Sequence, residues 1–511
     1  MVLKCIFNLS REAEAASKDM AAFIEEANKS IMVKGAPKEQ VGKASRISDW
    51  RIKGAKLFLT IESGSYVRAP AAALRINKSL GLLLGEKYRI GVRGIDVTDF
   101  TVTMPITEKV STFTIDKISK IEGVQSAKME AGKITVSLKP FTDSEFKRNI
   151  PDRILSLIEK ELVETGEPAE VIAEAVQVLK QGPMKEMKFK EDPMKLAVQL
   201  GWIKEFPARG QWIYTIPYTR LFSAIENIMV EEIADKLGFQ PFMLPKLIPM
   251  EVMKLMPGYL DGIPEGMYYV CPPPREPEVF EKFKELVKIT KEVPKKELKQ
   301  LIKDPEYVLA PAQCEPFWYF FFKETLNVEE LPVKFYDRSG WTYRWEGGGI
   351  EGLVRLQEFR RIELVYFGVP DDVVKIRDAV LDESIRTADK LLDLEWRVVP
   401  GIPFFMRAGG PIIDIRDSKN VAAYDLEIYL PYRGSREKSE WLEVTSCFVH
   451  KTKFIDAFKT RELKNRVVWS GCTGIGLSRW VAAFLSEHGF DADKWPKSVR
   501  ERFGKYNIPK T

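Results

Sequence analysis

Three stretches near the start of the chain alternate apolar and polar side chains with a period of two. They are Lys56–Glu62, Phe100–Met104 and Lys133–Leu138. Alternation with β-branched content predicts half-buried strands, and Glu12–Ala27 ahead of them reads as a helix. The first 150 residues therefore read as an α+β domain on an antiparallel sheet. Residues 151–182 carry apolar positions on one helical face, including Val171, Ile172, Ala175, Val176 and Leu179, and Gly182-Pro183 ends that run. The charged stretch Met184–Asp192 reads as a linker. These patterns divide the chain into an N-terminal part (1–182), a linker (183–194) and a larger C-terminal part (195–511).

Beyond residue 195 the runs are longer and richer in aromatics. A helix is predicted over Thr219–Lys236, with Gly238 in the position that ends helices. The extended run Phe239–Pro249 contains Pro241, Pro245 and Pro249, which places it at a sheet edge or an interface. Residues 272–304 open with three prolines and continue as a Lys/Glu-rich helical insert, a solvated excursion. Two further strands, Trp341–Trp345 and Ile362–Phe367, flank Glu346–Arg361. The glycines at 347–349 and 352 make that connection a long hairpin with a flexible tip.

Composition narrows the chemistry. The 511 residues are 45% hydrophobic and 30% charged, as in a globular protein. No apolar run approaches the ~20 residues of a membrane helix, and acidic residues from Glu12 on exclude a signal peptide. Five scattered cysteines suggest a reducing compartment, hence the cytoplasm, rather than a disulfide framework. Only His450 and His488 are present, which excludes a His-rich metal centre; each reads as an ordinary polar residue. Residues 1–150 carry 25 Lys and Arg against 17 Asp and Glu, while the whole chain is at +5. That basic N-terminal part fits nucleic-acid binding and, equally, a solvated face without a ligand.

Two short motifs carry candidate chemistry. Arg344-Trp-Glu346 follows the first hairpin strand, and alternation puts Arg344 and Glu346 on one face. A guanidinium there suits a phosphate and a carboxylate suits an amine such as that of adenine. An Arg-x-Glu triplet arises about once or twice by chance in such a chain, and a cross-strand ion pair accounts for it as well. Gly474-Ile-Gly476-Leu-Ser-Arg479 follows a strand read as Arg466–Trp469 and opens a helix, Leu477–Glu487. Glycines at a turn admit a ligand to the backbone, and the helix N-terminus favours anions. A dinucleotide-binding loop is excluded, because Arg479 replaces the third glycine and no βαβ unit follows.

In this order the elements resemble motif 1 (about 222–249), motif 2 (335–367) and motif 3 (468–485) of class II aminoacyl-tRNA synthetases. More closely, the chain resembles the zinc-containing seryl-tRNA synthetases of methanogenic archaea. Further points of likeness are Lys87–Ile95, Tyr429-Leu-Pro-Tyr-Arg433 and Trp469–Gly474. The resemblance implies an antiparallel catalytic sheet flanked by helices, a tRNA-binding N-terminal domain and a homodimer. It implies ATP-dependent activation of serine and transfer to tRNA.

By the same resemblance Arg344 holds the α-phosphate of ATP and Glu346 the adenine amine. Phe359 stacks on adenine, Arg479 holds the γ-phosphate and Glu443 binds Mg²⁺. Arg361 shares the parity of Phe359 and Glu363. Cys314, Glu363 and Cys472 correspond to the family's three Zn²⁺ ligands, which leave a fourth position for the amino group of serine. From the residues alone, a buried cysteine is also a small core hydrophobe. Phe359 equally fits a core, and Glu443 an ion pair. Two stretches depart from the family pattern. Val444-Thr-Ser-Cys-Phe448 lacks the expected asparagine, and Gly401–Ala423 carries Phe404-Phe405 and Gly409-Gly410-Pro411. Both departures bear on which amino acid is chosen. Two other readings remain open: a paralogue that loads another acceptor or another small amino acid, and a synthetase-like binding protein without catalysis.

Overall fold

The computed structural model describes all residues except 35, 37, 65–66, 107–111, 131, 164–177, 402–418, 420, 438, 440 and 505–511. Contacts divide the chain into two compact units, Met1–Ala173 and Glu174–Thr511.

The first unit is a six-stranded antiparallel sheet with helices. The three expected strands are present as Lys56–Ser63, Val92–Pro105 and Lys133–Leu138. Along Val2–Leu9 every second residue is buried, so one face meets the core. That core gathers Leu3, Phe7, Leu59, Ile76, Leu80 and Phe100, among others. The helix expected over Glu12–Ala27 instead runs over Ser17–Lys29, after a 3-10 turn at Glu14–Ala16. The residues before it are held elsewhere: Ala13 N–H donates to the Gly54 carbonyl at 3.2 Å. Of the helix expected over 151–182, residues 164–177, with Val171, Ile172, Ala175 and Val176, lie outside the described residues. Ile150–Val163 is helical, but Lys180–Gln181 is a strand paired with Arg397 and Val398, at an edge of the second unit's sheet.

That second sheet has eight strands. In spatial order they are Gln240–Pro241, Val333–Asp337, Ile362–Gly368, Trp469–Ile475, Leu442–Lys451, Ala423–Ile428, Trp396–Gly401 and Lys180–Gln181. All neighbours are antiparallel except the first pair. The central strand Ile362–Gly368 is buried at every position, so both faces are covered. Leu364 and Tyr366 join a core with Trp480, Val481 and Phe484 of the helix Leu477–His488. Val365 and Phe367 join a second core with Phe317, Trp318 and Phe454. The side chains of Glu363 and Cys472 lie on this second face.

The motif 1 helix begins at Ile216, two residues after Tyr214, and its last turn widens into a π-helix at Val230–Asp235. Gly238 then adopts φ +74°, a conformation open to glycine. The proline-rich run does lie at a sheet edge, but only Gln240–Pro241 and Leu247–Pro249 pair within it. The 272–304 insert folds as two helices, Glu281–Thr290 and Lys295–Leu301, with no buried residue in either. No helix among the described residues is long and apolar enough to cross a membrane.

Candidate active site

The hairpin is longer than its sequence suggests. Trp341–Tyr343 pairs with Glu358–Arg360, whereas Ile362–Gly368 pairs with Val333–Asp337. Its tip is pinned rather than flexible: Ile350, Leu353, Val354 and Leu356 are buried. Arg209 donates to the Ile350 carbonyl and Trp212 to that of Gly352.

Thr342 lies opposite Phe359, so the two share a face, and Arg344 continues that parity. The Thr342 hydroxyl donates to the Gln313 side chain at 3.2 Å, and Arg344 Nε donates to the Pro311 carbonyl at 3.1 Å. Arg344 and Phe359 therefore line the loop that carries Cys314. The strand ends at Tyr343, and Glu346 has helical backbone angles (φ −87°, ψ −3°). Strand alternation thus does not place Glu346, contrary to the expectation from the sequence.

Motif 3 also differs from the reading of a strand followed by a glycine turn. The strand is Trp469–Ile475, with Gly471 and Gly474 inside it, and the helix runs to His488. Arg479, in the helix's first turn, donates to the carbonyls of Val354 (3.1 Å) and Glu443 (3.0 Å). Its guanidinium is 3.6 Å from the Glu443 carboxylate. The presumed γ-phosphate and Mg²⁺ residues are therefore neighbours. Glu443 reaches this face through a β-bulge: Leu426 pairs with Thr445 but Glu427 pairs with Glu443, leaving Val444 extra.

Cys314, Glu363 and Cys472 come together although they lie far apart in the chain. Their ligand atoms all lie within 4.8 Å of one another, and all three side chains are buried. Glu363 Oε1 has no hydrogen-bond partner, while the other carboxylate oxygen accepts from Arg361. An orphaned oxygen facing two sulfurs fits the donor set of a zinc site with three protein ligands and an open fourth position. Burial pushes the Glu363 carboxyl up to about 7, against the pull of Arg361. The contact with Cys314, then burial, pushes the Cys472 thiol well above its usual value. At Cys314 the contact with Cys472 favours the thiolate, but burial and the Glu363 charge outweigh it and the thiol is raised. Without a cation, the pocket resists three negative charges.

Direct cross-strand partners form a row on this face: Asp337, Glu363, Gly474, Ser446 and Asp425. Gly474 leaves room in it, since a Cβ there would overlap the Arg361 guanidinium. Gly474→Ala is therefore expected to displace Arg361 and strand the buried Glu363. Losing one partner of such a pair costs about 3–5 kcal/mol. A melting curve unchanged from the native chain would refute this role for the glycine.

Sequence reading missed several residues of this face. Of the departing run Val444–Phe448, the register turns Ser446 and Phe448 towards the site, and Thr445 and Cys447 towards the opposite face. Ser446 donates to Asp425, whose carboxyl burial and nearby Glu443 push up to about 7. His450 is buried beside Cys472, and burial pushes its imidazole down to about 3. Its strand parity past the bulge was the available signal. Phe404-Phe405 and Gly409-Gly410-Pro411 fall outside the described residues.

Comparison with known proteins agrees with both units. Residues 1–160 match a tRNA-binding domain model and residues 298–488 match the tRNA synthetase class II core domain (G, H, P, S and T). The chain is 42% identical to the type-2 serine–tRNA ligase of Methanocaldococcus jannaschii, over 98% of this chain and 95% of that one. It is also 42% identical to that of Methanothermobacter thermautotrophicus, over 98% and 96%. Among solved structures, it resembles the one described as A. aeolicus tRNASec in complex with M. kandleri SerRS. That match has a TM-score of 0.80 at 35% identity and covers 100% of this chain and 98% of that one. With near-complete coverage at this identity, the chain belongs to the type-2 serine–tRNA ligase family.

Proposed function

We propose that this chain activates serine with ATP and transfers it to the 3′ end of tRNA. The observation that carries the proposal is the Cys314/Glu363/Cys472 cluster, with Arg344 bonded to the loop of Cys314 and Arg479 beside Glu443.

In the first step the serine carboxylate attacks the α-phosphorus of ATP in line and pyrophosphate leaves. Arg344 would hold the α-phosphate, and its two Nη groups have no partner among the described residues. Phe359, half-buried, would offer its ring to adenine. Glu346 would accept from the adenine amine. Arg479 would hold the γ-phosphate, and Glu443, half-exposed, would bind the Mg²⁺ that accompanies ATP. In the second step the terminal hydroxyl of tRNA attacks the seryl-adenylate and AMP leaves. Positioning and charge neutralisation account for such chemistry, so no histidine base is required.

Cys314, Glu363 and Cys472 would hold one Zn²⁺ per chain. Bound there, the metal offers an open coordination position to the amine of the substrate. The basic N-terminal unit would grip tRNA, and the motif 2 tip around Gly347–Arg355 would meet its acceptor end. By the resemblance to the family, the chain would form a homodimer through the motif 1 edge. All five cysteines are free, in keeping with a cytoplasmic site of action.

Pyrophosphate exchange with each amino acid in turn, followed by charging of tRNA, tests the function. Serine-dependent exchange and serylated tRNA are expected. Exchange with a different small amino acid would reassign the pocket. Exchange without charging would point to another acceptor, and no exchange at all to a binding protein.

A further inference from the structure

Behind the three cluster residues stands a ring of buried donors. Glu363 accepts from the Arg361 guanidinium. Cys472 Sγ lies 3.4 Å from His450 Nε2, and His450 Nδ1 lies 3.3 Å from the Ser470 hydroxyl. Trp318 follows Cys314 by one helical turn, and its indole N–H is buried without a hydrogen-bond partner. Trp318 also packs edge-on against the His450 ring, with centroids 5.5 Å apart. Arg361 and His450 thus stand behind one ligand each.

We propose that His450 is a positioning residue for the metal centre, donating its Nε2–H to the Cys472 thiolate. This rests on the zinc reading given above. A metal-bound thiolate only accepts hydrogen bonds, so the facing nitrogen must carry the proton. A neutral imidazole has one donor and one acceptor, so Nδ1 accepts from the Ser470 hydroxyl. The thiolate thereby selects the tautomer, and the fully buried Ser470 hydroxyl completes it by donating to Nδ1.

The charge balance shows why such donors are dipoles and not cations. Two thiolates and one carboxylate carry three negative charges. A divalent cation and Arg361 carry three positive charges, which match those of the three ligands. A second cation would leave the pocket charged, at a cost that burial makes large. Neutral N–H groups spread the thiolate charge and aim the sulfur lone pairs without upsetting that balance.

The test compares native enzyme, His450→Phe and His450→Gln. Zinc affinity is measured by chelator competition, and the cobalt-substituted forms are compared by their thiolate-to-metal charge-transfer bands. His450→Phe is expected to hold zinc about 10-fold more weakly. Its charge-transfer band should move to lower energy, because a thiolate without its donor is easier to oxidise. His450→Gln, which keeps an N–H, should lie between the two. Ser470→Ala, a smaller change in the same chain of bonds, is expected to move the band in the same direction and by less; it serves if the phenylalanine variant does not fold. Native affinity and an unmoved band in both His450→Phe and Ser470→Ala would overturn the inference. A native chain that takes up neither zinc nor cobalt would remove the zinc reading and this inference with it.

Discussion

Replacing Arg344 with alanine is expected to lower serine-dependent pyrophosphate exchange by about 10²–10³-fold, the usual cost of removing one donor aimed at developing charge. The side chain is held by a single bond from Nε to the Pro311 carbonyl, which leaves its Nη groups to face a ligand. Losing that one bond costs about 1 kcal/mol of stability, so the variant should fold. The loss should fall on kcat as well as on the KM for ATP, because the contact strengthens as charge builds on the α-phosphate. Arg344→Lys should recover little, since an ammonium cannot form the two parallel bonds of a guanidinium. Exchange at the native rate in a folded Arg344→Ala enzyme would sink the assignment of this arginine.

Cys314→Ala should take bound zinc from about one per chain to none, and adenylation with it. Two remaining ligands do not make a stable zinc site. Cys314 lies in a core with Phe317, Phe321 and Phe367, and losing one sulfur atom there leaves only a small cavity. Folding should therefore survive, and circular dichroism separates metal loss from unfolding. Metal analysis and pyrophosphate exchange on the same preparation decide the matter. A variant that is fully active without metal would eliminate zinc from the mechanism; unchanged zinc content would eliminate Cys314 as a ligand.

The alternating strands of the first unit were legible because each has one wet face and one dry one. The catalytic sheet was harder to read. Its central strand, Ile362–Gly368, is buried on both sides, so alternation vanishes and it is legible only as a short continuous apolar run. Gly471 and Gly474 were read as a turn, since glycine usually marks one. Here they sit mid-strand, where Tyr366 and Arg361 cross over the backbone. The three proposed ligands came from resemblance alone. Cys314 and Cys472 are 158 positions apart in the numbering, and no local spacing announces such a site. His450 was dismissed for a sound reason, as lone histidines are usually structural. Its meaning depends on a neighbour 22 residues away across a sheet.

The extra residue at Val444 has a consequence for how this strand tolerates change. It acts as a phase shift: on one side of it odd numbers face the reactants, on the other side even numbers do. Most single substitutions around it would alter one contact. A deletion of one residue there would rotate Glu443 to the far side and bring a different side chain into its place. Length at this point is therefore under tighter constraint than identity, and an alignment that scores only which letters match would miss it.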